Sequence, residues 1–444
     1  MAPLTAGIDI GTTSVKAVAV DEDGTIVARA RIPHRLVFPA PDRMEHDAAQ
    51  AWRRGPLRAL AALGDLQPTA VAVASMVPSF TAVDRRGYPI GPGLLYGDAR
   101  GRTASADSPA ASGEAVEFLR WSAANAPGAH AYWPAPAVAS FALAGEAVVD
   151  YGVAFTSSPL FGPHGWDEEI CAGCGVRGAQ LPRVAASGAP IGRIGGTDGP
   201  LLATGGVDAM VEQIVAGADH DGDVLVLCGT TLMSWAVLAE HREAPGLWTI
   251  PHTTPGRFLI GGPSNAGGLF LGWVERMLGR PARGAERLDP ANVPVWAPYP
   301  RGERAPLHDP DRRATLDRLD VTHGPAAVRR AAWEASGFVV RHQLDLARIV
   351  PMRIVATGGG TKVDGWMQAL ADATQLPVHV AAVPEGAAQG AAYLARMAGG
   401  SETDMHGAAR WARTARVVEP DAVWARHASE RYARFRELTS APSP

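Results

Sequence analysis

Lysine is almost absent from this sequence. Of the 41 basic side chains in 444 residues, only Lys16 and Lys362 are lysine and the rest are arginine. Basic residues form no run and the formal net charge is −4, which argues against a nucleic-acid partner. No apolar run is long enough to cross a bilayer, and the first residues lack a basic n-region followed by an h-region. No membrane partner is expected, and the protein is expected to be cytoplasmic. Cysteine is also scarce: Cys171, Cys174 and Cys228 fit a reducing compartment. Cys171-x-x-Cys174 has no second pair and no nearby His, which argues against zinc. It reads as two surface thiols, with a redox pair as the weaker alternative. Two nucleotide signatures are missing as well, Gly-x-x-x-x-Gly-Lys-Ser/Thr and Gly-x-Gly-x-x-Gly.

What is present starts at Gly7-Ile8-Asp9-Ile10-Gly11-Thr12-Thr13-Ser14-Val15-Lys16-Ala17-Val18. An apolar run carrying one acid enters a Gly-Thr-Thr-Ser turn, and further apolar runs follow to Val20 and from Thr25 to Ala28. The pattern predicts two consecutive β-hairpins. A turn with one glycine and three hydroxyls can aim N–H and O–H groups at an anion. Asp9, on the strand before it, can hold a divalent cation beside that anion. Together these make a nucleotide site.

The stretch recurs at Leu225-Val226-Leu227-Cys228-Gly229-Thr230-Thr231-Leu232-Met233-Ser234-Trp235-Ala236-Val237. Aligning Gly11 with Gly229 sets Asp9 opposite Leu227 and Lys16 opposite Ser234, so the copy keeps the turn and loses the acid. One Gly-Thr-Thr is a common hairpin turn; two between matching strands imply duplicated domains. The chain length suits two cores, expected as residues 1–217 and 218–444 with the crossing near Ala216 to Asp223. Both lysines lie beside glycine-rich turns, where a compact point charge fits better than a planar guanidinium.

Along the rest of the chain, Asp47 is a candidate N-cap for a helix from Ala48 to about Leu63. Ala70 to Ser75 reads as a buried strand opening into Met76-Val77-Pro78. One helix is expected over Gly113 to Asn125 and another over Trp166 to Cys171. Residues 131–165 show little periodicity, and Pro182 to Ile194 reads as the approach to a strand. Leu201 to Gly206 predicts a strand, with Asp208 at the first turn of the next helix. Ligands bind at that end of open sheets, although Asp is also a favoured cap there. In the second half a long helix is expected over Gly324 to Ile349. A strand Met352 to Thr357 then opens into Gly358-Gly359-Gly360-Thr361-Lys362, and strand Pro377 to Val383 precedes a further helix. Such a turn lets a phosphate or nucleoside approach the backbone closely.

The ordered series Gly7 to Lys16, Gly206-Val207-Asp208, Gly229-Thr230-Thr231, Gly302-Glu303-Arg304-Ala305-Pro306 and Gly358-Gly359-Gly360 resembles the FGGY carbohydrate kinases, and within them the xylulokinase branch. The resemblance covers most of the chain and is weakest over residues 101–165. It implies an α/β, two-domain actin-like (ribonuclease H-like) ATPase fold with internal duplication. It also implies ATP mostly on the second domain, sugar on the first, and closure between them. The general base would fall on Asp208 and the magnesium-associated acid on Asp9. ATP and Mg2+ would be the cofactors. Candidate nucleotide contacts are Gly11, Thr12, Thr13, Ser14, Lys16, Gly229, Thr230, Thr231, Gly358, Gly359, Gly360, Thr361 and Asp364. Candidate sugar contacts are Ser75, Met76, Tyr96, Asp98 and Asp208, with core packing of Tyr96 and an Asp98–Arg100 pair as the alternative readings. The partner is a small sugar, and a homodimer is the candidate assembly.

Departures fall in the sugar half. Members of that branch carry Met-His-Gly where this chain has Met76-Val77-Pro78, a polar residue where it has Ala209, and Trp where it has Tyr96. The expected function is ATP-dependent phosphorylation of a ketopentose such as xylulose, with another sugar or polyol as the alternative acceptor. A sugar-responsive ATP-binding protein with little turnover is the reading from another class, and an actin- or chaperone-like ATPase is a third. Asp208 argues against both, because neither needs a base.

Overall fold

The architecture comes from a computed structural model that describes residues 3–40, 43–101, 114–252, 254, 256–279, 288–382 and 385–440. The chain forms two compact units, residues 1–215 with 385–411 and residues 216–384 with 412–444. This differs from a single cut at 217/218, because the chain returns to the first unit late. Its helix Gly386–Ala398 lies so close on the first strand that a Cβ at Gly7 would stand 1.8 Å from the Ala388 carbonyl oxygen. Glycine at 7 and alanine at 387, 388, 391 and 392 permit that approach.

In the first unit β1 (Thr5–Ile10), β2 (Ser14–Val20) and β3 (Ile26–Pro33) form the two expected hairpins. With β4 (Ala70–Ser75), β5 (Pro190–Arg193) and β6 (Leu201–Val207) they make one sheet in the order β5-β6-β4-β1-β2-β3. Strands β1, β4 and β6 run parallel. All of β1 and β4 is buried, as their largely apolar runs require, whereas β3 alternates half-buried with exposed residues. A separate five-stranded sheet combines residues 36–40, 43–46, 93–95, 79–83 and 131–133.

The second unit repeats this plan. β7 (Asp223–Cys228), β8 (Leu232–Leu238), β9 (Trp248–Pro251), β10 (Phe258–Ser264), β11 (Arg353–Thr357), β12 (Val378–Ala381) and β13 (Thr414–Val418) order as β9-β10-β8-β7-β11-β12-β13. Leaving out β9, each strand matches one of the first sheet in position and direction, down to an antiparallel edge strand beyond the last parallel pair. The duplication read from Gly-Thr-Thr is therefore a duplication of the whole sheet. Among the described residues no helix is long and apolar enough to cross a membrane.

Local differences have identifiable causes. The helix expected from Ala48 to Leu63 starts under the Asp47 cap, whose Oδ1 accepts the Gln50 N–H at 2.9 Å. It widens to a π-turn over Ala49–Arg54 before a regular stretch Gly55–Ala61. The Gly55 N–H reaches Gln50 O and Pro56 has no N–H to give. Trp166 pairs in a short ribbon with Phe161, and the helix begins at Glu168 under the Asp167 cap. Two short strands, Arg183–Ala185 and β5, occupy the stretch Pro182 to Ile194. Gly113 and Val383, the ends of two expected elements, lie outside the described residues; the elements run Glu114–Asn125 and Val378–Ala381. Cys171 and Cys174 are not surface thiols. They pack into the core with Val116 and Leu119, and burial pushes the Cys171 thiol up to about 11. A thiol so protonated is a poor nucleophile, which also disfavours the redox alternative.

The second unit closes around a buried ionic cluster. The long helix Pro325–Ala347 supplies Arg330 and Glu334, and Asp372 comes from helix Asp364–Thr374. Arg431 comes from the last helix, Ala422–Ser440. Arg431 Nε and Nη2 meet Glu334 at 2.7 and 2.8 Å, while Arg330 bridges Glu334 at 2.9 Å and Asp372 at 2.6 Å. Glu334 and Asp372 are wholly buried. Removing one partner of such a cluster leaves uncompensated charge. We expect Glu334→Gln to lower the stability of this unit by about 3–5 kcal/mol, read by urea unfolding; a loss under about 1 kcal/mol would show the cluster to be dispensable.

Candidate active site

Strand register builds the centre of the site. In the β1/β2 hairpin Asp9 faces Lys16 directly, and Lys16 Nζ donates to Asp9 Oδ2 at 3.3 Å. Asp9 Oδ1 is buried with no hydrogen-bond partner among the described residues. Across the parallel strands Asp9, Ala74 and Gly206 lie in register, so Asp208 follows just beyond, opening helix Asp208–Ala216. An irregularity in β6 between Ala203 and Gly206 sets this placement. It brings β6 so near β4 that a Cβ at Gly205 would meet Val73 O at 1.9 Å, which explains the paired glycines.

The charges around this point act on one another. The Asp208 carboxyl, which accepts the Ala209 N–H at 2.7 Å, is pushed up to about 8 by burial first. The negative charges of Asp9 and Glu212 add to the rise, and the Ala209 N–H and Lys16 oppose it. Lys16 is held above its ordinary value by Asp9 first, with Glu212 and Glu385 adding to it against the cost of burial. Glu212 sits one helical turn after Asp208, and Glu385 just precedes helix Gly386–Ala398. Sequence reasoning passed over both. The i to i+4 spacing from Asp208 was a signal for Glu212, but Glu385 joins the site only through the late return of the chain.

The other expected residues divide. Tyr96 does reach the first turn: its hydroxyl and Thr12 Oγ1 lie 2.5 Å apart. Ser14 is buried, and its Oγ accepts Arg31 Nε at 3.1 Å. Asp98, expected at the sugar, is fully buried and already engaged. It accepts Met44 N at 2.6 Å, Arg100 N at 2.8 Å, and Arg100 Nε and Nη2 at 2.8 and 2.7 Å. Four donors leave its carboxylate little capacity for a sugar hydroxyl. Ser75 and Met76 are buried at the end of β4, where Met76 N donates to Ile10 O at 3.2 Å.

In the second unit Gly229-Thr230-Thr231 joins β7 to β8, and the N–H groups of Gly268 and Leu269 donate to the Gly229 and Thr230 carbonyls at 2.8 and 3.0 Å. Those donors open helix Gly268–Leu278. The triple glycine packs against the end of β7: a Cβ at Gly358 or Gly360 would stand 3.0 or 2.7 Å from Cys228 O. A Cβ at Gly359 would meet nothing within 4 Å among the described residues, so that face is open there. The Gly229 and Gly358 turns are thus neighbours. Thr361 Oγ1 closes the glycine turn on Gly358 O at 2.8 Å. Asp364 is exposed and pairs with Arg416 at 2.5 Å. Glu303, within the Gly302-Glu303-Arg304-Ala305-Pro306 motif, accepts Ser264 Oγ at 2.8 Å and the N–H groups of Asn265 and Arg304 at 3.1 and 2.6 Å. It thereby braces the turn leading into helix Gly268–Leu278. Burial raises Glu303 to about 7 against those hydrogen bonds.

Residues 4–108 match the N-terminal domain of the FGGY family of carbohydrate kinases, and residues 224–399 match its C-terminal domain. The chain belongs to this family. The apulose kinase of Pectobacterium atrosepticum is 29% identical over 95% of this chain and 94% of its own length. The gluconokinase of Bacillus licheniformis is 26% identical over 89% and 87%. The crystal structure of xylulose kinase from Rhodospirillum rubrum superposes with a TM-score of 0.81 at 27% identity, covering 98% of each chain. Asp208 falls between the two matched FGGY segments, so its place rests on register and helix position.

The raised carboxyl has a measurable consequence. The folded protein holds a proton on Asp208 that the unfolded chain releases near its ordinary value of 3.8. The native state therefore binds more protons between about pH 4 and 8, and this group costs stability as pH rises through that window. Asp208→Asn removes the cost. Its melting temperature should exceed that of the wild type at pH 8, and the difference should vanish toward pH 4. An equal difference at both pH values would show that the carboxyl is not held up.

Proposed function

We propose that this chain transfers the γ-phosphate of ATP to a hydroxyl of a small carbohydrate, with Asp208 accepting the hydroxyl proton. The observation that carries the reading is the placement of Asp208 at the head of a helix, electrostatically coupled to Asp9, Lys16 and Glu212. As the acceptor oxygen bonds to phosphorus, its O–H bond breaks toward Asp208 and the γ-phosphorus–oxygen bond to ADP breaks. A base titrating near the working pH suits that proton transfer. The unpartnered Asp9 Oδ1 fits a magnesium ion, which keeps most of its shell as water and phosphate oxygens. Bound there, magnesium would supply charge neutralisation for the phosphates. Lys16 adds a fixed positive charge, and any neutralisation of Asp9 removes part of what raises Asp208.

The nucleotide assignment is supported by the second unit, where the Gly229-Thr230-Thr231 turn and the open face at Gly359 adjoin. Gly358, Gly360 and Thr361 shape that turn. For the acceptor, a ketopentose such as xylulose is the first candidate, and another sugar or polyol is the second. Val77-Pro78 in place of His-Gly and the saturated Asp98 favour an acceptor bound differently from xylulose. Relatives acting on apulose and gluconate show how widely the acceptor varies.

ADP release should be measured with MgATP and a panel of xylulose, ribulose, apulose, erythrulose, gluconate and glycerol. At least one should stimulate turnover well above the rate without acceptor. Nucleotide binding with no stimulation by any of them would favour the sugar-responsive binding protein instead. With the best acceptor, Asp208→Asn should keep ATP binding by calorimetry and lose roughly 10² to 10⁴ in kcat, the usual worth of a general base. A variant that keeps most of its kcat would remove Asp208 from catalysis.

A further inference from the structure

The two Gly-Thr-Thr turns solve the same problem with different donors. In the second unit the carbonyls of Gly229 and Thr230 are taken by backbone N–H groups at the start of a helix, Gly268 and Leu269. In the first unit the matching carbonyls, Gly11 and Thr12, lie 3.1 Å from His34 Nε2 and 2.8 Å from His46 Nε2. A carbonyl only accepts, so both Nε2 atoms carry hydrogen. For His46 the tautomer is fixed independently. Trp52 Nε1, a donor only, lies 3.0 Å from His46 Nδ1, which must therefore accept. The two imidazoles meet edge to face with centroids 4.6 Å apart, and His46 and Trp52 are buried. The backbone N–H of His34 also takes the Thr13 carbonyl at 3.0 Å.

We propose that His34 and His46 are positioning residues that aim the first turn at phosphate, replacing with two side chains what a helix start does in the second unit. In a trans peptide the N–H lies opposite the C=O. Holding the Gly11 and Thr12 carbonyls on the imidazole side therefore turns the N–H groups of Thr12 and Thr13 to the other side, free to face an anion. Trp52 sets the His46 tautomer, and the Tyr96 hydroxyl fixes Thr12 Oγ1 on the same turn. The role in phosphoryl transfer rests on the kinase reading above; the donor assignment does not.

The test has two arms. In the wild type, nitrogen-15 NMR of the histidine side chains should show His34 and His46 as Nε2–H tautomers, assigned by their loss in His34→Gln and His46→Gln. Both signals should shift on addition of a magnesium complex of a non-hydrolysable ATP analogue. A proton on Nδ1 of His46, or no shift of either signal at saturation, overturns the proposal whether or not the protein turns over. In the kinetic arm His46→Leu removes the donor. Gln keeps an N–H for Thr12 O and an oxygen for Trp52. His46→Leu should lower kcat roughly 10- to 100-fold, less than loss of a donor touching the transition state, with sugar KM within about 2-fold of wild type. His46→Gln should recover kcat to within about 3-fold. A folded Leu variant with wild-type kcat, or a Gln variant no better than Leu, overturns the donor role. Should the Leu variant not fold, Trp52→Phe replaces it, and unchanged kcat there counts against the proposal. A wild type without turnover on any acceptor defeats the kinase reading alone, and the NMR arm then decides this one.

Discussion

A tight turn between two buried strands must find partners for carbonyls that its own hairpin leaves unpaired. Buried backbone groups without partners cost as much as a lost hydrogen bond. Satisfying them from one side decides which way the following N–H groups point. In this protein that requirement is met twice, by a helix start against Gly229 and Thr230 and by two imidazoles against Gly11 and Thr12. Much else follows from it. Glu303 matters because it braces the chain entering helix Gly268–Leu278, and Gly267 because a Cβ there would lie 2.3 Å from Leu232 N. Trp52 matters because it leaves His46 one way to be protonated.

The second organising force is charge at close quarters. Lys16 is surrounded by the fields of Asp9, Glu212 and Glu385, and Asp208 shares the field of Asp9 and Glu212. One compact cation among several acids keeps the cluster tolerable while leaving Asp208 reluctant to ionise. A guanidinium would spread its charge over a planar fork and favour one bidentate carboxylate. That gives a physical reason for lysine at this position in a chain otherwise basic through arginine.

Much of this was legible in the sequence because it is local. The hairpins, the buried strand Ala70–Ser75 and the helix start at Asp208 follow from period, turn residues and apolar runs. The Gly-Thr-Thr repeat pointed to a duplication that the sheet order bears out. The illegible parts are those that tertiary contact decides. Helix Ala135–Ala144 is almost wholly buried and so apolar nearly all round, leaving little period to read within residues 131–165. For Asp98 the sequence leaves a sugar hydroxyl and a pair with Arg100 both open, and only the fold shows the Nε/Nη2 edge of Arg100 closing on both carboxylate oxygens. His34 and His46 carry no motif at all, and their meaning appears only when the end of β3, the strand 43–46 and the helical turn bearing Trp52 meet the turn between β1 and β2. The cysteines look exposed in an acidic helix, yet one face of that helix is core.

The duplication also shows how the first hairpin departs from its copy. In the first unit Ile10 pairs with Val15, so four residues turn the chain; in the second Cys228 pairs with Leu232 and three suffice. The extra residue shifts the register by one, and a shift of one changes which side chains meet across the hairpin. It is this register that sets Lys16 opposite Asp9. In the second unit the aligned positions are Leu227 and Ser234, and they are not paired. Leu227 faces Met233, and Ser234 faces Val226 while its hydroxyl bonds Gln343 Oε1 at 2.5 Å inside the core. Losing the acid alone would not make the second hairpin a simple copy, because restoring Asp at 227 and Lys at 234 would leave them out of register. The longer turn is thus the structural step that sets the Gly-Thr-Thr peptides beside an acid–lysine pair. It also changes the path of the chain around the turn, the setting in which side-chain donors on neighbouring strands take over from a helix start.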